Sequence, residues 1–146
     1  MSEQALVNHE HRDLMASLEA AIVRELPPVE LEEKHYFAHG TYTRELHIPK
    51  GTVLTGKIHR ESCINILSKG KLKVVTDEGE YEVEAPHTFV SGPGVKKAGF
   101  ALEDSIWINV HPWDGEANES ALEAIEDSVI VPSYEALDHE QQELIE

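Results

Sequence analysis

The sequence predicts a mainly β domain, an antiparallel sandwich or barrel, with helical segments at both ends. Between residues 35 and 113, short runs rich in β-branched and aromatic residues follow one another. Turn signals separate these runs every eight to twelve residues. No helical pattern intervenes, so a parallel α/β sheet is not expected.

The elements follow in order. Leu14, Met15, Leu18, Ala21, Ile22 and Leu26 recur at helical spacing and predict an amphipathic helix over 8–25. Pro27 and Pro28 stop it, and the acidic linker VELEEK completes a first segment, 1–34. The β segment, 35–113, holds TYTRELHI, TVLTGKIH, SCINIL, KLKVV, EYEVEA, HTFVS and SIWINV. Its turns are His39-Gly40, Pro49-Lys50-Gly51, Lys69-Gly70, Asp77-Glu78-Gly79, Gly92-Pro93-Gly94 and Glu103-Asp104. In the third segment, 114–146, the helical period returns with Leu122, Ile125 and Val129. Ser120 and Glu123 have capping-box spacing before them. Pro132 breaks the chain, and Ser133 is placed to cap a last helix carrying Leu137, Leu144 and Ile145. Helices this short need a surface to pack on, either the barrel or a second subunit.

Composition bounds the function. The 146 residues, 40% of them hydrophobic, suffice for one core. Eight acids and three bases lie in 1–34, nine of each in 35–113, and eleven acids with no Lys or Arg in 114–146. The net charge of −16 therefore belongs to the ends. Nucleic-acid binding needs a basic footprint, and an anionic membrane surface needs the same, so neither partner is expected. No apolar run approaches a membrane span, and the polar start MSEQALVNHEHRDL is not expected to be a secretory signal. One cysteine, Cys63, excludes an intrachain disulfide, and synthesis in a reducing cytosol is expected. No Walker loop, G-x-S-x-G, G-x-G-x-x-G or H-E-x-x-H motif is present.

One spacing stands out. Gly51, Lys57, His59, Cys63 and Gly70 follow one another with gaps of five, one, three and six residues. Gly92-Pro93-Gly94 then precedes Lys97. The pattern resembles the two motifs of the cupin superfamily over residues 40–111, and implies a cupin-type jelly-roll barrel. Gly51, His59, Gly70 and Gly94 match. Lys57 and Lys97 stand at the positions of metal-ligating His, and Cys63 stands at that of Glu, so one of four expected metal ligands is kept. No metal or other cofactor is therefore expected. The run from His35 to Gly70, with VIVPSYEAL near the end, is similar to small cupin-like proteins of tailed bacteriophages. That resemblance implies synthesis in a host cytoplasm, a virion-associated or accessory role, and a phage structural protein as partner.

The residues at the ligand positions suggest different chemistry. Protonated Lys cannot ligate a metal. Lys57 and His59, two apart on one strand, would share a face. With Lys97, or Lys96 if the turn shifts the register, they would give a barrel mouth suited to a carboxylate, a phosphate or an acidic side chain. Both lysines could instead snorkel to the rim. Cys63 reads as a small buried hydrophobe, too far along an extended chain from His59 for a dyad. His35, His39, His47, His87 and His111 lie on different segments, and the fold decides whether three of them meet at a metal. Trp107 alternates with Ile106, Ile108 and Val110 and reads as packing, whereas Trp113 could anchor a neighbour. The leading expectation is a non-enzymatic, homo-oligomeric interaction protein. A small-anion binder using Lys57, His59, Cys63 and Lys97 is the alternative, and a metal-dependent cupin enzyme is the third.

Overall fold

Alternating side chains build two antiparallel sheets. The computed structural model describes residues 12–13, 30–76 and 79–131. The expected helix over 8–25 (apart from Arg12 and Asp13, which are helical) and the one after Ser133 lie outside the described residues. The five-stranded sheet runs β1 (Glu32–Ala38), β2 (Thr41–Ile48), β10 (Ser105–Pro112), β5 (Cys63–Lys69), β8 (His87–Ser91). The four-stranded sheet runs β3 (Val53–Thr55), β9 (Ala98–Ala101), β6 (Lys71–Thr76), β7 (Gly79–Glu84). A small ribbon pairs β4 (Ile58–His59) with β11 (Ile130–Val131). A 3-10 turn, Glu119–Ala121, leads into helix α1 (Leu122–Val129). The architecture is a jelly-roll barrel with a C-terminal helix. No helix among the described residues is long and apolar enough to cross a membrane.

The two sheets close on one apolar core. Leu46, Ile48 and Leu67 come from the larger sheet, and Leu72, Val74, Val83 and Ala101 from the smaller. Full burial of one such Leu or Val stabilises the fold by about 1.5–3 kcal/mol. The hairpin between β5 and β6 turns at Gly70, whose φ is +89°. A Cβ there would run into the backbone of Asp104 and Ser105.

Three local expectations are revised. β1 starts inside the segment read as linker, because Glu32, Glu33 and Lys34 pair with His47, Leu46 and Glu45. TVLTGKIH is two strands: β3 ends at Thr55, Gly56 N–H donates to the Lys97 carbonyl at 2.7 Å, and β4 leaves to pair with β11. The helical cap is Asn118 rather than Ser120, with Asn118 Oδ1 accepting from Ser120 N–H at 3.0 Å.

Helix α1 packs on the barrel through Ile125 and Ala121, which meet Tyr42, with Phe37 and Trp113 beside them. Arg60 donates to the carbonyls of Asp127 (2.9 Å) and Ser128 (2.7 Å) near the end of α1. Ile130 of β11 stands opposite His59 of β4, so the helix and the strand carrying His59 are fixed together.

Candidate functional site

The inner face of the larger sheet changes character row by row. Side chains two apart on a strand share a face. Leu46, Trp107 and Leu67 form one cross-strand row on β2, β10 and β5. The next row is Arg44, Asn109 and Asn65 on the same strands. Beyond it Tyr42 stands opposite His111. A cavity of about 150 Å³ lies over the first two rows, lined there by Leu46, Trp107, Arg44, Asn109 and Asn65. Leu54, Leu72 and Val74 of the opposite sheet complete its apolar part, and His59 and Lys97 join Arg44 at its polar part.

The polar row is hydrogen-bonded in series. Asn109 Nδ2 donates to Asn65 Oδ1 at 2.7 Å. Asn65 Nδ2 donates to Ser91 Oγ at 3.0 Å, and Lys97 Nζ donates to the same hydroxyl at 3.2 Å. Arg44 Nη2 pairs with Glu33 on β1 at 2.9 Å. Its Nε, and Nδ1 of His59, are buried without a hydrogen-bond partner among the described residues. Buried polar atoms left unpaired are costly, and such atoms in a cavity wall are open to a guest.

Electrostatics favour neutral imidazoles beside the cations. The His59 ring meets His111 edge-on at 5.2 Å. Burial, then His111, Lys97 and Arg44, lowers the His59 pKa to about 4. Burial and Arg44 lower His111 as well. Tyr42, pushed up to about 12 chiefly by burial, shares a 2.7 Å hydrogen bond with His35 Nδ1.

The sequence-derived site residues separate. His59 and Lys97 both line the cavity. Lys57 lies in the break between β3 and β4, not on one strand with His59; it lines the opening, and its ammonium pairs with Glu126 of α1. Cys63 is buried behind the polar row, where it accepts from Asn109 Nδ2 at 3.7 Å and donates to the Val110 carbonyl at 3.7 Å. Burial pushes its thiol pKa up despite Lys97 and these bonds. The scattered histidines have other company: His47 meets Glu45, and His87 stacks near Phe89. Arg44, Asn65 and Asn109 are the cavity residues that the motif does not mark. Their signal is polarity on the inward period of apolar strands, in phase with Leu46, Leu67 and Trp107.

Comparisons with solved structures place this architecture. A RmlC-like cupin from Shewanella frigidimarina NCIMB 400 is similar at 18% identity and a TM-score of 0.50, over 63% of this chain and 80% of that one. A cupin superfamily protein from Desulfitobacterium hafniense DCB-2 is similar at 7% identity and a TM-score of 0.50, over 66% and 89%. The fold is that of the cupins. KdgF from a Halomonas species also aligns, at 19% identity and a TM-score of 0.49, over 57% and 81%. No protein-family model matches the sequence, and no curated protein matches it.

A divalent metal in a barrel of this kind would need imidazole and carboxylate donors. Lys57, His59, Cys63 and Lys97 offer an ammonium paired with Glu126, an imidazole, a thiol held protonated by burial, and a second ammonium on Ser91. That set does not fit a divalent cation. Among the described residues no three His, Cys, Asp or Glu form a group that could hold one.

Proposed function

We propose that this cupin-fold chain is a binding module that takes a small anion into its barrel. The observation that supports the reading is the lining: Arg44, Lys57 and Lys97 contribute to it, and among the described residues lining the cavity none is Asp or Glu. This holds in a chain of net charge −16. Arg44 and Lys97 flank the polar row and are the principal holders; His59 and Asn109 offer hydrogen bonds. Lys57, engaged by Glu126, is peripheral, and Cys63 supports Asn109 from behind. Isothermal titration calorimetry with a panel of small mono- and dianions tests the reading. Binding is expected, lost in Arg44→Met and in Lys97→Met and kept in Lys57→Met, with circular dichroism checking that each variant folds. Absence of heat across the panel overturns it.

A second reading is assembly of copies, with the phage-type structural role implied by the sequence resemblance. It is favoured by one row on the outer face of the larger sheet: Tyr36, Thr43, Val110, Ile64 and Val90 stand in register across all five strands. Val90 is 68% exposed and Ile64 43%. Apolar rows of this kind mark protein contacts. Sedimentation velocity of Val90→Glu against the parent tests it: an oligomer that dissociates supports this face, and an unchanged one counts against it.

A further inference from the structure

The cavity has two chemically distinct halves, and they restrict the guest further than charge alone. On β2, Arg44 and Leu46 are neighbours on the inward face, and on β10 so are Asn109 and Trp107. Two residues of strand separate the polar row from the apolar row by about 7 Å. The two halves together measure about 150 Å³, a volume known to admit one benzene-sized ring, so the guest is no larger than one ring with a small head group. We propose that the barrel binds a monocarboxylate bearing one compact apolar body, about the size of benzoate. The carboxylate sits against Arg44 and Lys97, and the body lies over Leu46 and Trp107 against Leu72.

The proposal rests on the anion-binding reading and deepens it. A dianion is disfavoured because Glu33 already pairs with Arg44 and offsets part of its charge. The two cationic side chains therefore offer less than two full charges, and neutral His59 and His111 add none. An inorganic ion would leave the apolar half in contact with water. A neutral aromatic, even one with a hydroxyl to accept from the Arg44 Nε, would bring no charge to Arg44 and Lys97. A monocarboxylate with a ring satisfies both halves at once.

Trp107 lines the cavity and reports on it directly. The experiment follows indole fluorescence in the full chain with Trp113→Phe, so that Trp107 is the remaining tryptophan. The probes are sodium benzoate, sodium acetate, inorganic phosphate and benzyl alcohol. Saturable benzoate binding, at least about tenfold tighter than each of the other three, is the expected result. Arg44→Met should weaken benzoate at least about tenfold and benzyl alcohol clearly less. Leu72→Phe, which narrows the apolar half without adding a second indole, should weaken benzoate and spare acetate. Phosphate or acetate binding as tightly as benzoate overturns the proposal but leaves the anion-binding reading standing. Benzyl alcohol binding as tightly as benzoate, or no binding by any probe, overturns both.

Discussion

Arg44 on β2 stands directly opposite Asn109 on β10, and Asn109 stands opposite Asn65 on β5. A charge and two amides thus cross the inner face of a sheet whose next row is Leu46, Trp107 and Leu67. Asn65 is fully buried, and its Oδ1 accepts the 2.7 Å bond from Asn109. Deleting one amide takes away its partner's hydrogen bond. Asn65→Ala is expected to cost about 2–3 kcal/mol. Asn65→Ala with Asn109→Ala should cost clearly less than the two single losses together, because the second deletion removes a group already unpaired. Urea unfolding of the four proteins measures the coupling. Strict additivity would mean that the amides do not act as a pair.

The neutral imidazoles give stability a defined pH dependence. An unfolded His titrates near 6.5, and His59 in the fold near 4. Between those values the unfolded chain binds a proton that the fold refuses. Stability is therefore fully present above about pH 6.5 and falls as pH drops toward 4. The whole interval is worth roughly 3–3.5 kcal/mol for His59. His111, lowered for the same reason, adds in the same direction. Urea midpoints at about pH 7.5, 5.5 and 4.5 should fall for the parent. They should fall less steeply for His59→Leu, which has no proton to take up. A parallel decline in both proteins would assign the acid sensitivity to other groups.

The barrel was legible in the sequence because period-2 alternation and turn spacing survive in almost every strand. TYTRELHI is β2 and SIWINV lies within β10, as the alternation predicts. The break at Gly56-Lys57 was not legible: it depends on Gly56 reaching the Lys97 carbonyl across the fold, at 2.7 Å. The site was half legible for the same reason. Motif spacing marks His59 and Lys97, both in the cavity wall. It also marks Lys57, whose partner Glu126 comes from a helix 69 residues away. Arg44, Asn65 and Asn109 carry no motif; register alone aligns them, and register is a property of the folded sheet.

Two of the three motif glycines, Gly51 and Gly70, differ in what they do. Gly70 (φ +89°) and Gly51 (φ +87°) both hold the left-handed backbone. A Cβ on Gly51 meets nothing within 4 Å, whereas one on Gly70 runs into the Asp104–Ser105 backbone. Gly51→Ala is expected to cost about 1–2 kcal/mol from conformation alone. Gly70→Ala should cost at least about 1 kcal/mol more, because the β5–β6 hairpin must move off Ser105. Thermal melts of the two variants decide this, and equal losses would remove the steric argument.

Helix α1 is joined to the barrel by an ion pair and by an apolar contact, and the two are not equal. Lys57 and Glu126 are 58% and 52% exposed at the side chain. Exposed pairs contribute about 0–1 kcal/mol and weaken with salt. Ile125 is 1% exposed and sits in the cluster with Tyr42 and Ala121. Ile125→Ala should cost about 2–4 kcal/mol through lost burial and the cavity it leaves. Glu126→Gln should cost less than about 1 kcal/mol. Because β11 continues from α1 and pairs with β4, loosening the helix also frees His59. Amide exchange should then quicken at Ile58 and His59 in Ile125→Ala and stay slow in Glu126→Gln. Fast exchange in the second variant would mean that the ion pair, not the apolar contact, holds the strand in place.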